Sequence, residues 1–267
     1  MDVEHGDYDR DFFEEHADKV RSSAEVVVPL VMERVAPRSV VDLGCGKGTW
    51  LAVFAEHGVE DYLGVDGDWV TPDVLEIPPE RFLSARLDRP VRIPGRYDLA
   101  VSLEVAEHLP ESAAKRFVET LAGLAPCVLF SAAVPRQGGL HHVNEQWQDY
   151  WAGLFAQRGY EAVDAIRPRI WSTPGVSWWY KQNTLVFARP ELLEAKPLLA
   201  QDRAATVPGM LSIVHPRLLD YVGADPAAHV RLPTAREFPL RELASAFPHV
   251  VSRSARWRLR RLLRREP

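Results

Sequence analysis

Ser39-Val-Val-Asp42-Leu-Gly44-Cys-Gly46-Lys-Gly48-Thr49 decides the fold. Residues 39–43 read as a buried strand. The three alternate glycines read as a sharp turn, at which a Cβ would obstruct the approach of a ligand. Thr49 to His57 reads as the following helix, whose first N–H groups face the same turn. Outward from this unit the alternation continues. Tyr62–Asp66 predicts a second strand, Arg81–Leu87 a weaker third, Tyr97–Leu103 a fourth, Pro110–Ala125 a helix and Cys127–Ala133 a fifth strand. Strands alternating with helices predict a doubly wound α/β domain around a mainly parallel sheet. Trp147, Tyr150, Trp151, Leu154 and Phe155 recur at one face of a further helix, with Gly159 closing it. Tyr160–Ile166 and Asn183–Ala188 predict an antiparallel pair at one edge, which brings the sheet to seven strands.

Composition agrees with a folded domain. The chain has 267 residues, 46% hydrophobic and 26% charged, with a net charge of −5. Two cysteines, Cys45 and Cys127, are too few for a disulfide framework or a cysteine-based zinc site and suit a reducing cytoplasm. Residues 1–19 carry acids instead of an apolar core, so no signal peptide is read there. No apolar run reaches the 18 residues of a membrane span. From Pro190 the rhythm is lost. The expected division is therefore a main domain over 1–190, an irregular proline-rich extension packed on it over 191–250, and a basic tail over 251–267. That tail holds seven arginines and one glutamate, leaving the rest of the chain strongly acidic. An acidic body speaks against nucleic acid as a partner.

The glycine loop discriminates among nucleotide ligands. A phosphate-binding loop of the Gly-x-x-x-x-Gly-Lys-Ser/Thr form fails, because Val41 stands at the first glycine and Gly48 follows Lys47. A dinucleotide Gly-x-Gly-x-x-Gly fails at Thr49. The form Asp42-x-Gly44-x-Gly46-x-Gly48 resembles motif I of the class I S-adenosylmethionine-dependent methyltransferases. Asp66 lies about 20 residues past the loop, where a carboxylate meets ribose hydroxyls in nucleotide-binding units. Tyr97–Glu104 resembles the family's motif IV strand. The resemblance covers about residues 20–190 and implies a Rossmann-like seven-stranded sheet with S-adenosylmethionine as cofactor. It further implies a cofactor site of Asp42, Gly44, Cys45, Gly46, Asp66, Gly67, Leu87, Asp88, Ser102, Leu103 and Glu104. Gly44 and Gly46 would approach the methionine part, Asp66 would bind the ribose, and Asp88 would lie near the adenine. Ser102–Glu104 would border the sulfonium. An N-terminal helix with Tyr8, Phe12, Phe13, Ser22 and Ser23 is expected to cover the cofactor.

A second constellation follows strand four. In Glu104-Val-Ala-Glu107-His108, positions i, i+3 and i+4 converge on one side of a helical turn. The loop Gly138-Gly-Leu-His141-His142-Val-Asn144-Glu145 overhangs the same crevice. Two carboxylates with imidazoles suit magnesium or manganese, so Glu104, Glu107, His108 and His142 form a candidate metal set. Glu-x-x-Glu-His resembles the metal segment of ubiquinone-pathway O-methyltransferases and, with a later histidine, that of small-RNA 3′-end 2′-O-methyltransferases. A cofactor-side or structural role for the same residues is the alternative. His141 and His142, with Glu145, are the candidate catalytic residues, since imidazole titrates near neutrality.

Trp171, Trp178, Trp179 and Tyr180 surround Pro174-Gly175, with Gln182 and Asn183 beside them. Such aromatic faces and amides stack on and bond to sugars, or simply pack on the sheet. The arginine-rich tail, if helical, presents a narrow apolar face suited to an anionic membrane surface. The expected activity is methyl transfer to a hydroxyl of a sugar-containing or natural-product acceptor. RNA 2′-O-methylation, N-methylation and non-catalytic cofactor binding are the alternatives.

Overall fold

The computed structural model describes residues 10–224, with side chains from Lys19 to Val222. Tyr8, the side chains of Phe12 and Phe13, and everything from Asp225 onward, including the basic tail, lie outside the described residues.

A long helix, α1 (Arg10–Val35), leads into β1 (Ser39–Leu43), α2 (Thr49–Glu56), β2 (Asp61–Asp66) and β3 (Phe82–Ser84). Then come β4 (Leu99–Leu103), α3 (Glu111–Leu124), β5 (Cys127–Ser131), α4 (Gln148–Ala156) and β6 (Glu161–Val163). After α5 (Arg167–Ile170) and α6 (Trp178–Asn183) the chain re-enters the sheet as β7 (Leu185–Ala188). The sheet has seven strands in the order β3-β2-β1-β4-β5-β7-β6, with β7 antiparallel to both neighbours. This is the doubly wound α/β sheet that the alternation predicts.

Every residue of β4 and β5 is buried, because helices cover both faces of the central strands and leave no polar side to alternate. One face packs on α1 and α2 through Val27, Val31, Trp50 and Phe54. The other packs on α3 and α4 through Phe117, Leu121, Trp151 and Phe155. Phe155 stacks on Phe187 of β7, centroids 4.1 Å apart and 13° between planes. The aromatic stripe is thus built as two fully buried rings, Trp151 and Phe155, while Trp147 stays 44% exposed because the helix begins one residue after it.

Residues 190–224 correct the expectation of an irregular extension. They form α7 (Pro190–Ala195), α8 (Pro197–Ala205) and α9 (Pro216–Ala224). The prolines that break the sequence rhythm stand at helix starts, where the missing N–H has no partner to lose. Asp202 of α8 is buried between Arg34 of α1 and Arg169 of α5, each 2.7 Å away. No described helix is long and apolar enough to cross a membrane.

β1 lies between β2 and β4, so the connections leaving β1 and β4 run to opposite sides of the sheet. The crevice this opens at the strands' carboxyl ends is the place where doubly wound sheets take ligands.

Candidate active site

The glycine loop leaves β1 at the floor of that crevice. Gly44 has φ +84° and Gly48 has φ +83°. A Cβ on Gly44 would come within 2.3 Å of Val105, and one on Gly48 within 2.8 Å of Ile77. Gly46 differs: its φ is +52°, yet nothing lies within 4 Å of where a Cβ would stand. The loop therefore packs tightly on the protein at Gly44 and Gly48 and opens outward at Gly46. Its N–H groups are ordered from the next strand, Gly44 N donating to Val65 O at 2.7 Å and Gly46 N to Asp66 Oδ2 at 2.7 Å. The other Asp66 oxygen accepts from Gly67 N at 2.7 Å, and the Trp69 side chain adds a hydrogen bond.

Four carboxylates converge on this crevice from the ends of three strands: Asp42, Asp66, Glu104 and Glu107. Among the described residues, none of them makes an ion pair. Burial, then the charge of Asp66, pushes the Asp42 carboxyl well above its ordinary range. Burial likewise raises Asp66 against the pull of its N–H donors. Glu104 is raised by burial against hydrogen bonds from Asn183, Ser131 and Gln137. Glu107, like Asp42, is pushed well above its ordinary range, first by burial and then by Glu104. A crevice of this kind gains from a cationic occupant.

Past β4 a single 3-10 turn, Ala106–His108, places Glu107 and His108 beside the loop from β5. That loop is tied down by Val143 N and Asn144 N, both donating to Glu107 O. The His108 and His142 rings meet edge to face with centroids 4.9 Å apart, and the His142 ring fits where a Cβ on Gly139 would stand. Glu107, His108 and His142 each offer a ligand atom, all within 4.8 Å of one another. Both Glu107 oxygens and His108 Nδ1 are buried without a hydrogen-bond partner. Burial, then His142, lowers the His108 imidazole to about 4, so it is neutral and its lone pair is available. His142 Nδ1 lies 3.0 Å from Glu145 Oε1. Burial opposes ionisation of Glu145. The His142 contact and N–H donors at Arg136 and Gly138, both 2.7 Å, outweigh it and hold the carboxyl below its usual range.

Several expected site residues are placed differently. Glu104 stands apart from the three-ligand cluster: its carboxylate is engaged by Asn183 and Gln137 on the other side. It is corrected out of the metal set, because the helical turn is confined to Ala106–His108 and Glu104 precedes it with φ +56°, so helical spacing does not govern where its side chain goes. Ser102 Oγ donates to Leu43 O at 2.9 Å, and Leu103 packs in the core, so both side chains serve the sheet. Cys45 is buried against Gly64. Asp88 is held by the Arg86 guanidinium at 3.0 and 3.1 Å, which keeps its carboxyl below the usual range, while Leu87 packs on the α3 side of the core. His141 is exposed with φ +58°, leaving His142 as the half-buried, carboxylate-backed imidazole. Gln182 and Asn183 are buried in α6, while Trp171, Trp178 and Trp179 are only partly buried. Ser22 and Ser23 of α1 bond to residues 175 and 177.

Sequence reasoning missed Trp69, whose ring fills the space above Gly67; an aromatic three residues past the β2 carboxylate was the available signal. It also missed Gln137, for which no local pattern speaks.

Residues 13–165, more than half of the chain, match the family model described as a methyltransferase domain. No curated protein matches the chain in sequence. Solved structures resemble the chain at low identity. DesVI of Streptomyces venezuelae is 14% identical with a TM-score of 0.53, covering 71% of this chain and 100% of its own. Magnesium protoporphyrin IX methyltransferase of Synechocystis PCC 6803, solved with bound SAM, is 18% identical with a TM-score of 0.47, covering 69% and 87%. An O-methyltransferase family protein of Burkholderia thailandensis is 14% identical with a TM-score of 0.46, covering 67% and 57%.

Proposed function

The chain belongs to the methyltransferase-domain family of class I, S-adenosylmethionine-dependent enzymes, and from that premise we propose that it methylates a hydroxyl oxygen of a sugar-containing or natural-product acceptor. The observation that carries the choice of oxygen is the Glu107–His108–His142 cluster at the carboxyl end of β4. An amine attacks a methyl sulfonium with its own lone pair, whereas an aliphatic hydroxyl must lose its proton on the way. An imidazole backed by a carboxylate, as His142 is by Glu145, serves that need.

The same three residues fit a divalent cation. Buried, unpartnered Glu107 oxygens and a neutral His108 are what a cation site leaves behind, and a second carboxylate orienting the His142 ring is the usual outer support. Two imidazoles beside a carboxylate suit manganese better than magnesium, which prefers oxygen donors. Bound there, a cation would lower the barrier to deprotonating an acceptor hydroxyl. Asp66 would hold the cofactor ribose and the open side of Gly46 would admit the methionine part. The rest of the catalysis would come from holding acceptor and sulfonium in line. Trp147, exposed close to His142 in the chain, offers a ring face for sugar C–H groups.

Calorimetric titration with S-adenosylhomocysteine tests the cofactor site. Binding is expected and should weaken about tenfold or more in Asp66→Ala. Methyl transfer is then assayed on a panel of sugar hydroxyls and amines, before and after exhaustive chelation. Turnover on hydroxyls that chelator abolishes and manganese restores supports the reading. Full activity after chelation removes the cation from it, and methylation confined to amines overturns the choice of oxygen.

A further inference from the structure

Glu104 is the one carboxylate of the crevice that sits in a cradle of side-chain amides. Asn183 Nδ2 donates to both of its oxygens, at 3.0 and 3.2 Å, and Gln137 Nε2 to Oε2 at 3.0 Å. These amides are themselves oriented. Gln182 Nε2 donates to Gln137 Oε1 and to Asn183 Oδ1, each at 3.0 Å, which turns the nitrogen ends of both toward Glu104. Gln182 is fixed in turn by His215 N, which donates to its Oε1 at 2.8 Å. All three amides are at least nine-tenths buried. Glu104 itself stands at φ +56° on the rim of β4, a backbone conformation that a side chain with a Cβ adopts only where its surroundings impose it. A buried glutamate serving packing alone would be met as well by an apolar residue in relaxed backbone, with no amides to orient.

We propose that Asn183 and Gln137, aligned by Gln182, are positioning residues that hold Glu104 as an ionised carboxylate against the sulfonium of the cofactor, so that this cradle sets the preference for the charged S-adenosylmethionine over the neutral S-adenosylhomocysteine. The proposal rests on the reading that Glu104 borders the sulfonium. Donors on both oxygens favour the ionised form and fix its direction. Val105, the next residue in the chain, packs on Gly44, which brings this end of β4 against the glycine loop.

The test is the ratio of the two dissociation constants, measured by calorimetry on the full chain. Asn183→Leu is expected to weaken S-adenosylmethionine about tenfold and S-adenosylhomocysteine hardly at all. Glu104→Gln should show the same selective loss, and Asn183→Leu added to Glu104→Gln should then lose nothing further, because both act through one charge. Should Asn183→Leu fail to fold, Gln137→Met reads the same cradle from its other side. Equal weakening of both ligands, or additive losses in the double variant, would overturn the proposal in favour of plain packing. A wild-type chain that binds neither ligand would instead overturn the reading of the site on which the proposal stands.

Discussion

Gly44 and Gly46 look alike in the sequence, and the structure separates what each does. At Gly44 any Cβ strikes Val105, so its absence serves the fold of the loop on β4. At Gly46 the protein leaves the space empty, so the absence of a Cβ serves something that is not protein. Gly46→Ala is therefore expected to cost only about 1 kcal/mol of stability, the ordinary penalty of a left-handed residue with a Cβ. The same change should weaken S-adenosylhomocysteine about tenfold or more. Chemical denaturation set beside calorimetry reads both quantities, and an unchanged affinity would place the cofactor elsewhere. At this scale the sequence was informative where function demands a rare residue in a fixed place: the glycines and Asp66 were legible. Gln137 was not, and Asn183 was read toward a sugar instead of toward Glu104, because an amide facing a carboxylate from far along the chain has no local signature.

Elements were more legible than residues. The strand–loop–helix at 39–57 and the helix at 111–124 follow from period and punctuation, since each buries one face against a sheet that sets the same rule for all. What misled was proline: a residue that breaks rhythm in mid-helix also begins helices, so α7, α8 and α9 read as irregular. The turn at 104–108 misled for a different reason. Helical spacing groups Glu104 with Glu107 and His108, but the turn spans only Ala106–His108 and Glu104 precedes it in left-handed backbone, so it does not join those ligands. The α4 stripe shows period read correctly. Phe155 lies between Phe130 and Phe187, with ring centroids 5.5 and 4.1 Å away, and is fully buried. Phe155→Ala is expected to destabilise the chain by about 3–5 kcal/mol, removing a ring and leaving a cavity that β5 and β7 hold open. Urea unfolding measures it, and a loss below about 1 kcal/mol would show α4 to be loosely docked.

At the scale of the molecule, four acids buried at one crevice set how stability follows pH. Asp42, Asp66, Glu104 and Glu107 all have carboxyls raised in the fold, mainly by burial. For each, the stabilising contribution is complete below the unfolded value near 4 and is lost as pH rises through the folded value. His108, lowered to about 4, acts in the opposite sense: between about 4 and 6.5 only its unfolded form binds the proton, so stability rises with pH there. The two effects oppose one another up to about pH 6.5. Above it His108 contributes no slope, and the sign follows the raised carboxyls, Asp42 and Glu107 foremost. The ligand-free chain should then lose stability from pH 6.5 to 8, by at most about 1.4 kcal/mol per pH unit for each acid still protonated. A cation in the crevice reverses the sign of their environment. S-adenosylmethionine should therefore raise Tm by an increment that grows across this window, and manganese should add to it through Glu107. S-adenosylhomocysteine, lacking the sulfonium charge, should raise Tm by an increment that grows less. Thermal melts at constant ionic strength, with and without each ligand, measure the slopes. A ligand-free Tm that stays level from pH 6.5 to 8 would mean that the crevice acids are already compensated within the chain and that no cation is needed to hold them.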